Sequence, residues 1–231
     1  MQEGLATFLQ SMHPERMTIL HFPKPARQKE PFLNLPPATE SLVLLLVIIH
    51  LVRLVLPGSA DDWLLQHAAL IPALLTQKAS FPYSLPTLVT FAFLHGGWTH
   101  LIINTVTLAA FGTAMERTLG PRRMLVFFLV TSVIAGLAQV LAEPGAMVLV
   151  IGASGGISGM FGGILHLMRG IQGRKRTFDR RLLGLAALFI LITLAGGSIG
   201  IPGNRGIMVA VMAHVGGFVA GLALFPLMMR R

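Results

Sequence analysis

The chain has 231 residues, 54% of them hydrophobic and only 12% charged, with a mean hydropathy of +0.73. An ordinary water-soluble domain, about a quarter charged, is excluded. So are disulfides and thiolate metal sites, because no cysteine is present. The net charge of +9 does not indicate nucleic acid, since the basic residues fall between apolar runs, as membrane topology requires.

Residues 1–40 carry Pro14, Pro23, Pro25, Pro31, Pro36 and Pro37 among scattered basic residues. They read as a cytosolic tail with little fixed structure. The opening residues lack the basic and apolar regions of a secretory signal. Six apolar spans are then predicted: 41–56, closed by Pro57-Gly58; 97–115, closed by Gly120-Pro121; 124–141, ended by Glu143-Pro144-Gly145; 147–168; 182–197; and 207–229. Each approaches the roughly 20 residues a helix needs to cross hydrocarbon. The expected fold class is therefore all-α, a polytopic membrane protein whose six-helix domain occupies 41–231. The connection 57–96 is long, partly apolar and interrupted by Pro72, Pro82 and Pro86. Irregular backbone at membrane depth persists only where protein or a water cavity satisfies it, so this segment is expected to lie in the interface, against the bundle.

With the N-terminus inside, alternation of the spans puts fifteen of the eighteen Lys and Arg residues on one side, leaving Arg53, Lys78 and Arg205 outside. Both termini are thereby predicted to be cytosolic. The cluster Arg174-Lys175-Arg176 with Arg180-Arg181 sets topology first and offers anionic-lipid contact second.

Polar residues inside the spans are costly and point to chemistry. Ser154 is expected about seven residues into the fourth helix and His214 about seven into the sixth, both roughly 10 Å below the outer surface. Asn104 falls in the same layer of the second span, with His100 one turn above it on the same face. Small residues permit close approach: Gly217 and Gly221 follow on the face of His214, while Ser154, Ser158 and Gly162 recur every four residues. A serine needs an adjacent base, and histidine is the usual one. Glu116, Glu143 and Asp179 sit at span ends or in a loop, so a Ser-His dyad is read and not a triad with a carboxylate. Asn104, His100 and the Ser154 backbone can donate to an oxyanion.

The ordered motifs are His95-Gly-Gly-Trp-Thr-His100-Leu-Ile-Ile-Asn104, Glu116-Arg-Thr-Leu-Gly120, Gly152-Ala-Ser154-Gly155 and Ala213-His214-Val-Gly-Gly217 with Gly221. Together they resemble the rhomboid intramembrane serine proteases from about residue 41 onward. The resemblance implies a rhomboid-like bundle around a water-filled cavity open to the outside. It implies Ser154 as nucleophile, His214 as base, His100 and Asn104 as oxyanion stabilisers, transmembrane protein substrates within membrane lipid, and no cofactor. No metal is expected either, since the sequence has no His-Glu-x-x-His motif of the zincin type. A bacterial inner membrane is the expected location, from the compact six-span size.

Three departures accompany the resemblance. The outer segment lacks the family's Trp-Arg pair, with Pro86-Thr87 near its place; Ser158 stands where an aromatic often packs on the histidine; and Gly156-Ile-Ser158-Gly159 makes Ser158 a rival nucleophile. The alternative function is a catalytically silent rhomboid-like protein that binds client helices. His50 and His95 are read as packing or cavity residues, His166 as interfacial, and Trp63 and Trp98 as an interfacial belt.

Overall fold

The computed structural model describes residues 34–171, 180–199 and 210–229, and among them the chain is helical without a strand. The helices are α1 (Pro37–Val55), α2 (Gly58–Ala68), α3 (Pro72–Thr76), α4 (Phe81–Ser84), α5 (Thr87–Thr90), α6 (Trp98–Leu119), α7 (Pro121–Ala142), α8 (Ser154–Ile171), α9 (Arg180–Ile199) and α10 (Val211–Met229). A 3-10 turn at Phe91–Phe93 separates α5 from α6. Among the described residues α1, α7 and α10 are long and apolar enough to cross a membrane. Helices α6, α8 and α9 stand at the other three predicted spans, with 22, 18 and 20 residues. In α6, His100, Asn104, Glu116 and Arg117 dilute the apolar content.

Of the predicted boundaries that move, two bear on how the bundle and the site are built. Helix α1 starts at Pro37, not at 41, so the last residues assigned to the tail are helical. Proline suits a first helical turn, where its missing N–H loses nothing. The next two N–H groups are met from across the bundle: Glu116 of α6 accepts from Ala38 N at 3.0 Å, Thr39 N at 2.7 Å and Thr39 Oγ1 at 2.8 Å. Glu116, predicted only to mark the end of a span, is a buried carboxylate that caps another helix. The second shift is larger. The fourth span was predicted from 147, but α8 begins at Ser154. Residues 146–152 instead run as non-helical chain and pair with the outer segment, through Leu70 N to Val150 O at 3.0 Å, Val150 N to Leu70 O at 2.8 Å, Ala73 N to Ala146 O at 3.1 Å and Gly152 N to Phe91 O at 2.8 Å. Residues 200–209, where the sixth span was to begin, lie outside the described residues, as do 1–33.

The core is built where α7, α8 and α10 meet. Phe127, Phe128, Met160 and Phe225 are buried there with Met115 and Leu108 of α6. Along the contact of α8 with α10 the helices meet backbone to backbone. A Cβ on Gly217 would strike the Gly155 carbonyl, one on Gly221 the Gly159 carbonyl, and one on Gly162 the Phe218 carbonyl. The outer segment folds onto this bundle as short helices, with Leu70, Leu75, Phe91, Ala92 and Leu94 buried. Leu70 and Phe91 lie over Gly136 of α7, where a Cβ would meet them at 3.0 and 3.2 Å.

Candidate active site

Ser154 opens α8 at the point where non-helical chain turns into helix. The turn is made at Gly152, whose φ of +124° is a left-handed conformation that side-chain-bearing residues avoid. Space demands glycine as well. A Cβ there would lie 2.7 Å from His100 Nε2 and 3.7 Å from Ser154 Oγ, so the imidazole and the hydroxyl share the room over one bare residue. As the first residue of a helix, Ser154 also stands among backbone N–H groups that have no partner within the helix, at the positive end of the helix dipole.

His214 is the fourth residue of α10. Its turn is set against that of Ser154: the Ala213 carbonyl lies 3.8 Å from a Cβ position on Gly155, and Gly217 abuts the Gly155 carbonyl. The start of α10 is tied to α7 by Gln139, whose Oε1 accepts from Ala213 N at 3.2 Å. The His214 Nδ1 atom is buried without a hydrogen-bond partner. The predicted depth of seven residues is thus corrected for both groups. Ser154 is the first residue of its helix and His214 the fourth of its own, where the spans read from sequence set each about seven residues in.

His100 and Asn104 stack one turn apart on α6. Asn104 is buried and donates from Nδ2 to the His100 carbonyl at 2.8 Å. Gly96 N–H donates to His100 Nδ1 at 3.4 Å. That nitrogen is therefore the acceptor, and a neutral ring carries its proton on Nε2, the nitrogen beside Gly152. The His95 ring lies edge-on to that of His100, centroids 5.1 Å apart. Burial, with the His100 and His50 rings nearby, pushes the His95 pKa down to about 3, so His95 is neutral.

The other residues singled out in sequence separate cleanly. Ser158 is buried, and its hydroxyl donates back to the Ser154 carbonyl at 2.7 Å, whereas Ser154 is half-buried. His50 packs edge-on against Trp98 at 5.0 Å, with neither ring nitrogen hydrogen-bonded. Trp63 is exposed and stacked on His67. Among the described residues no group of three or more His, Asp or Glu side chains is placed to hold a metal ion. Two contributors went unread in the sequence. Gln139 was visible as a lone amide in an apolar span, but the Gly96 N–H carries no residue-type signal at all.

Comparison with known proteins bears on this arrangement. Residues 83–231 match the family model of the rhomboid domain. The rhomboid YdcA of Bacillus subtilis (strain 168) is 31% identical over 137 residues, covering 59% of this chain and 64% of that protein. Rhomboid protease GluP of the same organism is 31% identical over 136 residues, 58% of this chain and 24% of that protein. RHOMBOID-like protein 4 of Arabidopsis thaliana is 30% identical over 139 residues, 60% and 33% respectively. The chain spans less than two thirds of the length of each of these relatives.

Proposed function

The chain belongs to the rhomboid family, and on that premise we propose that it is an intramembrane serine endopeptidase that hydrolyses peptide bonds in or near the transmembrane segments of membrane proteins. Ser154 is the nucleophile and His214 its base. His214 takes the hydroxyl proton as Ser154 Oγ attacks the carbonyl carbon, then gives it to the departing amine, leaving an acyl-enzyme that water cleaves by the same route. The oxyanion of each tetrahedral intermediate meets the His100 Nε2–H, the Asn104 amide and the first N–H groups of α8. A substrate helix must unwind locally to offer its carbonyl, so residues that weaken helices are favoured near the cut. The domain 41–231 crosses the membrane six times in this reading, with both termini cytosolic and the site facing outward. A bacterial inner membrane is its place, and lipid and transmembrane substrates are its partners.

One observation carries the proposal: Gly152, left-handed and without room for a Cβ, keeps His100 Nε2 and Ser154 Oγ facing the same small space. The test is cleavage of a model transmembrane substrate by purified, reconstituted protein. Ser154→Ala and His214→Ala are expected to reduce turnover by at least about 10³-fold. Equal cleavage by wild type and Ser154→Ala would sink the assignment, and loss confined to Ser158→Ala would move the nucleophile one turn deeper. Fluorophosphonate labelling separates the client-binding alternative: a silent protein neither labels nor cuts.

A further inference from the structure

Arg53, near the C-terminal end of α1, is predicted from sequence only as a stray basic residue on the outer side. In the fold its side chain is largely buried and all three guanidinium nitrogens are engaged. Nε and Nη2 donate to the two carboxylate oxygens of Asp61 in α2, at 2.7 and 3.1 Å. Nη1 donates to the His95 carbonyl at 2.7 Å. That carbonyl belongs to the same peptide unit as the Gly96 N–H, which donates to His100 Nδ1. The two groups of a trans peptide point in opposite directions across one rigid plane. Holding the carbonyl therefore aims the N–H.

We propose that Arg53, clamped by Asp61, is a positioning residue for the oxyanion site, acting through the His95–Gly96 peptide plane to fix the ring orientation and tautomer of His100. The inference rests on the proposed role of His100 in proteolysis. The guanidinium both orients the plane and, as a charged donor on its carbonyl, polarises the opposite N–H. With that N–H on Nδ1, the His100 proton is confined to Nε2, beside Gly152 and Ser154. Without it, either tautomer is open, and the form protonated on Nδ1 turns a lone pair toward the site. Lysine cannot substitute, because one ammonium group does not reproduce a fork that grips a carboxylate and a carbonyl together.

The experiment uses full-length protein with ¹⁵N-labelled histidine rings in detergent micelles, alongside cleavage of a model transmembrane substrate. Wild type is expected to show His100 as the single Nε2–H tautomer. Arg53→Met and Arg53→Lys are expected to show mixed tautomers and to lose roughly tenfold to a hundredfold in kcat, with KM within about twofold. Asp61→Asn, which loosens the guanidinium without removing it, should fall between. A folded Arg53→Met protein whose His100 keeps the wild-type tautomer overturns the proposal, and so does a rise in KM at unchanged kcat. If Arg53→Met does not fold, the same two readouts on Arg53→Lys decide. Should wild type itself fail to cleave, the protease reading falls, while the ring spectra still judge the clamp.

Discussion

The two sides of the candidate site are held by opposite means. On one side, Ser154 and His214 are placed by shape: α8 and α10 touch at Gly155, Gly159, Gly162, Gly217 and Gly221, where backbone meets backbone and no side chain intervenes. On the other, His100 is placed by polar bonds, from Gly96 N–H and, behind it, the Arg53–Asp61 pair. In lipid no hydrophobic force drives one apolar helix onto another, so close approach depends on small residues and dispersion contacts. The outer segment is a string of short helices, and the backbone groups at their many ends need named partners. A contact made by shape tolerates no added atom. A contact made by bonds accepts added atoms but not a lost donor.

Breaking the shape-held side gives the largest effect. Gly221→Val sets a branched Cβ against the Gly159 carbonyl, which is fixed within α8 and cannot yield as a flexible side chain would. The helices must separate along their length, and a loss of about 4 kcal/mol or more is expected. Thermal unfolding in detergent would register it, with most of the protein aggregating on size exclusion. Unchanged melting would show that α8 and α10 are free to slide, and that shape does not place the dyad.

Removing polar ties should cost less. Glu116→Ala strands the N–H groups of Ala38 and Thr39 and the Thr39 hydroxyl, all buried. About 3 kcal/mol is expected, while Glu116→Gln, which keeps one accepting oxygen, should lose about half of that. Equal losses for Ala and Gln would mean that charge, and not bond number, anchors α1. Within the outer segment Thr90 Oγ1 donates to the Ala68 carbonyl at 2.7 Å. Thr90→Val should lose about 1 kcal/mol, read as a modest fall in melting temperature.

Sequence patterning located the long helices well, because runs of Leu, Val, Ile and Phe carry their own signal wherever they pack. It reads Ser154, His214, His100 and Asn104 as one layer by counting residues from span starts, and the start of the fourth span is not where its helix begins. Residues 147–153 are as apolar as a helix interior, yet they pair with Leu70 and Phe91, partners some sixty to eighty positions away. Hydropathy records composition and not such partners, so it makes the fourth helix too long and sets Ser154 too far along it. Glu116 and Arg53 were legible as charges near span ends, but what a charge binds across the bundle is set by tertiary packing. The Gly96 N–H is a group every residue but proline possesses, and only the fold gives it a task.

The smallest effect sharpens the contrast by reversing its sign. Gly184 lies inside α9, and a Cβ there would meet nothing within 4 Å. Glycine in a helix interior forfeits backbone entropy for no packing return, so Gly184→Ala is expected to stabilise the protein by about 0.5–1 kcal/mol. The same added methyl group on Gly217 should destabilise it, because there the Cβ collides with the Gly155 carbonyl. Two identical substitutions on neighbouring long helices would then move the melting temperature in opposite directions. If both lowered it, the crowding between α8 and α10 would not be what distinguishes that seam from the rest of the bundle. If both raised it, the glycines there would be passive, and some other contact would have to bring the serine and histidine helices together.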